Sequence, residues 1–310
     1  MSIIEKAVNK ATPPGAVGAD IGPGAGSGPA DGGSLIEKAF DKEQAVSDQR
    51  HEPVPAPEPE AAESAPARQQ SISLARLKRV GMITPDDERS QMAEEFRLIK
   101  RPLLANAFGQ GGAPIDKGNM IMVTSALPGE GKTFCAINLA ISIAMEMDRT
   151  VLLVDADVAK PRIPDYLGLE VEKGLLDVLR DDHLTLADVL IRTDVEKLTI
   201  LPAGRTYRRA TELLASEAMD SLISEISQRY PDRLVIFDSP PLLSTTESSV
   251  LATHMGQIVM VVEAERTPQE ALKEALAQIE SCEVVGMLLN KATPLPGANY
   301  YGYYYGGYGS

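Results

Sequence analysis

The sequence has no tryptophan, only two cysteines and no long apolar run. The last two of these features argue against particular classes of protein, namely disulfide-rich proteins and membrane-spanning proteins. Cys135 and Cys282 both lie in apolar surroundings, so we expect no disulfide framework and a reducing compartment. The longest purely apolar runs, such as 258–262, are about five residues and too short to span a bilayer. The start MSIIEKAVNKA lacks the apolar core of a signal peptide. We therefore expect a cytoplasmic protein without direct membrane insertion.

Basic side chains are also in short supply. The 310 residues include 30 Lys and Arg against 44 Asp and Glu, which gives a formal net charge of −14. This balance argues against general affinity for nucleic acid or anionic lipid, although it leaves room for a local basic patch. Any association with a membrane is thus expected to come through a partner. A hydrophobic content of 44% is enough for a real core.

Residues 1–73 differ in composition from the rest and are predicted to be a disordered linker, because they are rich in Pro, Ala, Gly and Glu. Two similar motifs interrupt this linker, SIIEKAVNK from Ser2 and SLIEKAFDK from Ser34. Each has a serine followed three residues later by glutamate, the pattern of a helical capping box. They are predicted as short helices, either without a partner or acting as a duplicated docking peptide.

Residues 74–293 are predicted to form one α/β domain with a doubly wound, mostly parallel sheet, because apolar runs alternate with helical patterns. The predicted strands are 119–126, 150–157, 198–204, 233–239, 257–264 and 284–290. The predicted helices are 90–108, with a kink at Pro102, then 132–147, 210–229 and 268–281.

The first of these strands runs into ALPGEGKT and then a helix, the context of a P-loop. Gly129 and Gly131 would let backbone amides face phosphates, Lys132 would reach the β- and γ-phosphates, and Thr133 would offer its hydroxyl to Mg²⁺. Ala126 replaces the first glycine of the strict pattern. The residues predicted to bind nucleotide here are Pro128, Gly129, Glu130, Gly131, Lys132, Thr133 and Phe134.

Three aspartates and one asparagine end later strands. Asp155 and Asp157 follow the second strand two residues apart, so both carboxylates can face a metal and phosphates at the ligand-binding edge of the sheet. Asp238 ends a later strand, in the position of an Mg²⁺ ligand. Asn290 ends the last strand, where its amide would read an adenine edge or cap the strand.

Residues 294–310 are predicted to be a flexible, exposed tail. The stretch 292–310 has no charged side chain, and glycine recurs through it. The backbone entropy of glycine opposes packing in a core. The last eleven residues contain six of the nine tyrosines: Tyr300, Tyr301, Tyr303, Tyr304, Tyr305 and Tyr308.

Together these motifs resemble the bacterial tyrosine kinases of polysaccharide synthesis, a P-loop family. The resemblance covers roughly residues 74–310 and is carried by ALPGEGKT, LLVDADVAKPR, LVIFDSPPLL, TELLAS and the tyrosine cluster. The helix EEFRLIKRPLLANAF and the N-terminal SIIEKAV are similar to the stand-alone cytoplasmic autokinases of exosortase-associated exopolysaccharide loci.

The resemblance implies an ATP- and Mg²⁺-dependent kinase that phosphorylates its own tail tyrosines between subunits of a ring. It implies that Lys132 and Thr133 bind phosphate and Mg²⁺, that Asp155 and Asp238 organise the metal, and that Asp155 or Asp157 lies near the incoming phenol. It also implies a role in exopolysaccharide synthesis and chain length. The expected partner is a membrane chain-length-determinant protein that activates the kinase and recruits it to the inner face of the plasma membrane.

The family's subunit contact, Glu-x-x-Arg-x-x-Arg, is matched by Glu94, Arg97 and Lys100. Lysine at the last position lacks the planar fork of arginine, and the adjacent Arg101 is a possible substitute.

Two other functions remain open from the residues alone. One is a partition or positioning ATPase of the MinD/ParA type, which would carry an early lysine where this loop has Ala126, Leu127 and Pro128. The other is a non-catalytic module in which the Tyr/Gly-rich tail drives association.

Overall fold

The computed structural model describes residues 2–5, 68–87, 90–109, 115–229 and 232–293, which belong to one compact unit. The second N-terminal motif and the tyrosine tail lie outside the described residues. Within the described part, no helix is both long and apolar enough to cross a membrane.

A single sheet forms the centre of the unit, with nine strands in the described residues, in the order β1-β9-β8-β3-β7-β4-β6-β5-β2. The strands are β1 Ser2–Glu5, β2 Arg68–Gln70, β3 Met120–Ser125, β4 Thr150–Asp155, β5 Ile191–Thr193, β6 Leu198–Leu201, β7 Arg233–Asp238, β8 Gln257–Glu263 and β9 Val284–Asn290. The six strands from β9 to β6 are all parallel. They are the six strands predicted from the sequence, so the predicted fold class is confirmed.

Helices cover both faces of this sheet. They are α1 Leu74–Arg79, α2 Gln91–Phe108, α3 Lys132–Ala144, α4 Ile163–Leu167, α5 Leu175–Val178, α6 Leu186–Val189, α7 Ala210–Leu214, α8 Glu217–Arg229, α9 Glu247–Ala252 and α10 Gln269–Ala277. The helix predicted over 210–229 is interrupted, because the Ser216 hydroxyl donates to the Leu213 carbonyl (2.7 Å) while the Ser216 carbonyl begins the next helix.

The sheet extends beyond the predicted domain boundary at residue 74. The first motif was predicted as a helix from Ser2, but Ser2–Glu5 is a strand that pairs antiparallel with β9. Its two β-branched residues, Ile3 and Ile4, favour a strand once the backbone of β9 offers pairing. Arg68–Gln70 pairs parallel with β5 at the other edge.

Two apolar cores lie on opposite faces of the sheet, as the alternation within β3 requires. Ile121 and Val123 belong to the core under α2 and α3, whereas Met120 and Met122 belong to the other core. Each core also contains one of the two cysteines, which are buried and free.

Gln257, fully buried at the start of β8, ties α2 to the sheet. Its Nε2 donates to the carbonyls of Leu103 (3.0 Å) and Gly118 (2.6 Å), and its Oε1 accepts from Asn106 Nδ2 (2.9 Å). One side chain thus satisfies three polar groups that the helix and the loop before β3 bring inside.

Replacing Gln257 with leucine keeps the volume but leaves those partners unpaired. We expect Gln257→Leu to lower the free energy of unfolding by about 2–4 kcal/mol, since each buried group left unsatisfied costs on the order of 1–3 kcal/mol. The matched control is Gln269→Leu at the exposed start of α10, which should change it by under about 0.5 kcal/mol. Urea unfolding measures both, and an unchanged midpoint for Gln257→Leu would contradict this role.

Candidate nucleotide-binding site

The predicted site residues meet at the carboxyl ends of three neighbouring strands. β7 lies between β3 and β4, and Asp238 at its end pairs in register with Val123 on one side and Asp155 on the other. Ligands bind at this edge of an open parallel sheet. The fold therefore brings the P-loop, Asp155, Asp157 and Asp238 together, as the sequence predicted.

The loop between β3 and α3 requires glycine at two positions. Gly129 has φ +89° and Gly131 has φ +97°, both in the left-handed region. A side chain at Gly131 would also collide with Asn290, because an added Cβ would lie 2.2 Å from its Nδ2. The helix α3 begins directly after this turn at Lys132, so its first backbone amides face the loop and can receive phosphate oxygens.

Glu130 holds the loop from inside and is itself almost fully buried. Its Oε2 accepts from the Leu127 amide (2.7 Å), and its Oε1 accepts from the hydroxyl of Thr267, in the turn between β8 and α10. Sequence reasoning assigned Glu130 to nucleotide binding only as part of the motif and missed Thr267, for which the sequence gives no local signal.

The end of β9 braces the same loop from another side. Asn290 Nδ2 donates to the Glu130 carbonyl (2.8 Å), and Lys291 Nζ donates to the Gly129 carbonyl (2.7 Å) and to Glu263 Oε2 (3.0 Å). Asn290 thus positions the loop backbone, and its reading of an adenine edge stays a prediction. Lys291 was not predicted.

At the centre of the site, Lys132 lies among three buried carboxylates. Its Nζ is 2.6 Å from Asp157 Oδ2 and 3.6 Å from Asp238 Oδ1. Asp155 points to the same place and is held by the backbone amides of Arg162 and Ile163, each 3.1 Å from its Oδ2. The cluster carries three acids against one base, so it has spare negative charge for a cation.

Burial and mutual repulsion shape the protonation of this cluster. Burial raises the pKa of Asp238 to about 6, against the opposing effect of Lys132. Burial, and then the neighbouring Asp238, raise the pKa of Asp155 well above its usual range. Burial alone would lower the pKa of Lys132, but Asp238 and Asp157 outweigh it and raise that pKa. Lys132 is therefore a fixed positive charge.

The donor set fits a magnesium ion that is shared with a nucleotide. Asp155 Oδ1 and both side-chain oxygens of Asp238 are buried and have no hydrogen-bond partner of good geometry within the described residues. Thr133 and Lys132 lie near Asp238 and act to lower its pKa, but the effect of burial is larger. The described residues contain no cluster that would by itself complete a metal site. Mg²⁺ is commonly held by one or two carboxylates together with phosphates and water, which matches this arrangement.

The three residues predicted for a subunit contact differ in their exposure. Glu94 and Arg97 form an ion pair on the partly exposed side of α2, with 46% and 37% of their side chains exposed. Lys100, by contrast, is buried: its Nζ donates to the Ser142 carbonyl (2.6 Å) and pairs with Glu146 Oε1 (2.5 Å).

Within the chain, the charge of Lys100 is satisfied between α2 and the end of α3, and its role as an intersubunit contact stays a prediction. A lysine stem can reach inward past apolar neighbours, which the motif alone did not reveal. Arg101, named as a possible substitute, is exposed.

Known proteins share both the sequence pattern and the fold of this chain. A family model described as AAA domain matches residues 118–289, more than half of the chain. The tyrosine-protein kinase YwqD of Bacillus subtilis is 31% identical over 234 residues, covering 74% of this chain and 93% of YwqD. The kinase domain of the Escherichia coli tyrosine kinase ETK has a TM-score of 0.62 at 22% identity, covering 74% of this chain and 91% of that one, and shows the shared fold.

Two further relatives are much longer than the matched region. EpsB of Ralstonia nicotianae is 35% identical over 194 residues, which are 62% of this chain and 25% of EpsB. The succinoglycan biosynthesis transport protein ExoP of Rhizobium meliloti is 31% identical over 245 residues, which are 75% of this chain and 30% of ExoP. The match thus spans between a quarter and a third of these two relatives.

The contact between Gly131 and Asn290 can be tested by a pair of substitutions. Gly131→Ala should weaken ATP binding by at least about tenfold, because it adds left-handed strain of roughly 1–2 kcal/mol and a collision with Asn290. Removing the collision in Gly131→Ala/Asn290→Ala should recover part of the loss, measured with a fluorescent ATP analogue.

The control for strain alone is Gly81→Ala, at φ +73° with no atom near the added Cβ and outside the site. It should lower stability without changing nucleotide affinity. Wild-type affinity in Gly131→Ala would show that neither the left-handed turn nor the close approach of Asn290 matters for nucleotide binding.

Proposed function

The chain belongs to the bacterial tyrosine-protein kinase family, and on that premise we propose that it transfers phosphate from ATP to the tyrosines of its own C-terminal tail. The observation that carries the proposal is Lys132 held among Asp155, Asp157 and Asp238 at the end of the P-loop. The sequence supplies acceptors in the same chain, since six tyrosines lie within its last eleven residues.

In this proposal the P-loop holds the ATP phosphates. The amides at the start of α3 and the ammonium of Lys132 would contact the phosphate oxygens, while Thr133, Asp155 and Asp238 would hold Mg²⁺. When bound, Mg²⁺ neutralises charge on the β- and γ-phosphates. Asp155 and Asp238 suit this role because both are fully buried and have oxygens without a complete hydrogen bond.

Asp157 is the best placed of the three carboxylates to receive the proton of a phenol. It is the only one with an exposed side-chain fraction, 9%, whereas Asp155 and Asp238 are fully enclosed. A tyrosine phenol has a pKa near 10 and is protonated at neutral pH, so a nearby carboxylate that accepts its proton assists attack.

The contact between Lys132 and Asp157 then gains a function. ATP phosphates compete with Asp157 for the Lys132 ammonium, which lies 2.6 Å from Asp157 Oδ2. Phosphate binding would draw the ammonium away and leave Asp157 free to accept a proton. Occupancy of the nucleotide site would in this way prepare the base.

The transfer itself conserves every atom. The phenol oxygen forms a bond to the γ-phosphorus, the bond between that phosphorus and the β,γ-bridging oxygen breaks, and ADP leaves with the electron pair. The phenol proton passes to Asp157 and then to solvent. Lys132 and the amides of α3 stabilise the charge on the transferring phosphoryl group.

We propose that the tail serves a neighbouring subunit. The 17 residues from Pro294 to Ser310, when fully extended, could reach about 55 Å, enough for an adjacent copy in a compact ring. The partly exposed Glu94–Arg97 pair on α2 is the candidate contact between copies, with Arg101 beside it.

The proposed setting is exopolysaccharide synthesis at the inner face of the plasma membrane. The name of the relative ExoP, a succinoglycan biosynthesis transport protein, supports this setting. A membrane chain-length-determinant protein would act as activator and recruit the kinase from the cytoplasm.

The roles of the two neighbouring aspartates lead to different defects. Asp157→Asn should lower tail phosphorylation by about 100-fold or more while ATP still binds, because general-base assistance contributes on the order of 10²–10⁴. Asp155→Asn should instead raise the Mg²⁺ concentration needed for ATP binding. Asp232→Asn, an exposed carboxylate outside the site, is the matched control. An active Asp157→Asn chain would refute its role as base.

Transfer between subunits can be tested by mixing two inactive halves. A chain ending at Thr293 keeps the site and lacks the tail; full-length Asp157→Asn keeps the tail and lacks the base. We expect phosphotyrosine on the full-length chain only when the two are mixed, read by a phosphotyrosine antibody. Label confined to wild-type chains would indicate transfer within one subunit.

A further inference from the structure

A strongly basic loop lies at the same edge of the sheet and has no role in the proposed transfer. We define the basic loop as residues 202–209, between β6 and α7, which contain Arg205, Arg208 and Arg209. All three side chains are exposed, as is Arg180 beside them. In a chain with a net charge of −14, four exposed arginines in one place are a local exception.

The loop has a defined shape because its first half is fixed to the turn around α5. The amides of Leu175 and Leu176 donate to the carbonyls of Pro202 (2.8 Å) and Ala203 (3.0 Å). Next comes Gly204 with φ +85°, where a Cβ would lie 2.3 Å from Asp177 Oδ2. No other residue fits that turn without displacing Asp177.

Buried Asp177 completes this anchor. Its Oδ2 accepts from the amides of Gly174 (2.9 Å) and Arg205 (3.1 Å), and Arg205 Nε donates to the Glu172 carbonyl (3.2 Å). The carboxylate is thereby occupied by the backbone and does not neutralise the arginine heads.

Tyr207 organises the second half of the loop. Its half-buried ring packs against the core, and the Arg180 guanidinium stacks on it with Cζ 4.3 Å from the ring centre. Within the described residues, none of Arg180, Arg205, Arg208 and Arg209 forms an ion pair with a carboxylate. Four guanidinium groups therefore remain available to an anion.

The basic loop is also adjacent to the transfer site. β6 pairs directly with β4, with Leu201 opposite Val154, so the loop leaves the sheet next to the segment that carries Asp155 and Asp157. On its other side, the hydroxyl of Thr211 in α7 donates to Glu247 Oε1 (2.5 Å). Glu247 lies in α9, the helix that follows β7 and Asp238.

We propose that the basic loop binds the chain's own tail once its tyrosines are phosphorylated, an inference that rests on the proposed function. Residues 292–310 carry no charged side chain, so the unmodified tail offers no carboxylate with which the arginines could pair. Each phosphate adds about −1.5 to −2 charges, and guanidinium groups bind phosphate bidentately. The loop thus distinguishes product from substrate and draws the product tail away from Lys132.

Binding of a peptide that copies residues 298–310 tests the inference without any kinase activity. The labelled peptide is made in two forms, unmodified and phosphorylated at Tyr303 and Tyr305, and its fluorescence anisotropy is followed with the full-length chain. We expect the phosphorylated form to bind at least about tenfold more tightly, with an affinity that falls as salt rises.

The variant Arg205→Gln/Arg208→Gln/Arg209→Gln should lose that preference, and Arg208→Gln/Arg209→Gln, which spares the contact of Arg205 with Glu172, should lose most of it. The matched control removes three exposed positive charges elsewhere, at Arg79, Lys117 and Lys273, and should bind like the wild type. ATP binding by each variant checks that the fold is intact.

Three outcomes would overturn the inference: equal binding of the two peptides, equal binding by the triple variant and its control, or loss of peptide binding only in Lys132→Met, which would place the phosphate in the P-loop.

Vesicles of phosphatidylserine and phosphatidylcholine test the rival occupant, an anionic membrane. Arginine-dependent binding to these vesicles without phosphopeptide binding would favour the membrane and overturn the inference. Phosphopeptide binding without any tail phosphorylation would sustain the basic loop as a site and reject the proposed function instead.

Discussion

The buried contact between Lys132 and Asp157 organises the whole site. Three carboxylates and one ammonium share a largely buried space, where charge interactions are stronger than at the surface. Asp238 and Asp155 can be there only because strands β7 and β4 end side by side, and Lys132 only because α3 starts beside them. Burial and mutual repulsion raise the pKa of Asp155 and of Asp238, and a cation would offset both effects, while the loop amides can receive phosphates.

The P-loop is held in place by residues far away in the chain. Asn290 and Lys291 bond to the backbone of the loop, and Thr267 bonds to Glu130. Asn290 ends β9, so this strand helps to fix the position of the loop.

Much of the fold was predictable because it depends on long, regular patterns. Runs such as 258–262 are apolar and long enough to identify buried strands, and the glycines of ALPGEGKT mark a turn that only glycine can make. The strand Ser2–Glu5 and the break at Ser216 were not predictable, since the first depends on a partner strand distant in sequence and the second on a single hydroxyl. Lys100 matched a surface motif but lies inside, and Thr267 has no local sequence signal, because tertiary packing alone decides both.

Mass spectrometry of the C-terminal peptide shows whether this site phosphorylates the tail of its own chain. After the purified chain is incubated with ATP and Mg²⁺, we expect phosphate on tyrosines among residues 300–308, and none in a parallel sample of the Lys132→Met variant. A tail that stays unmodified while the chain binds and hydrolyses ATP would rule out the kinase and indicate an ATPase that acts as a switch.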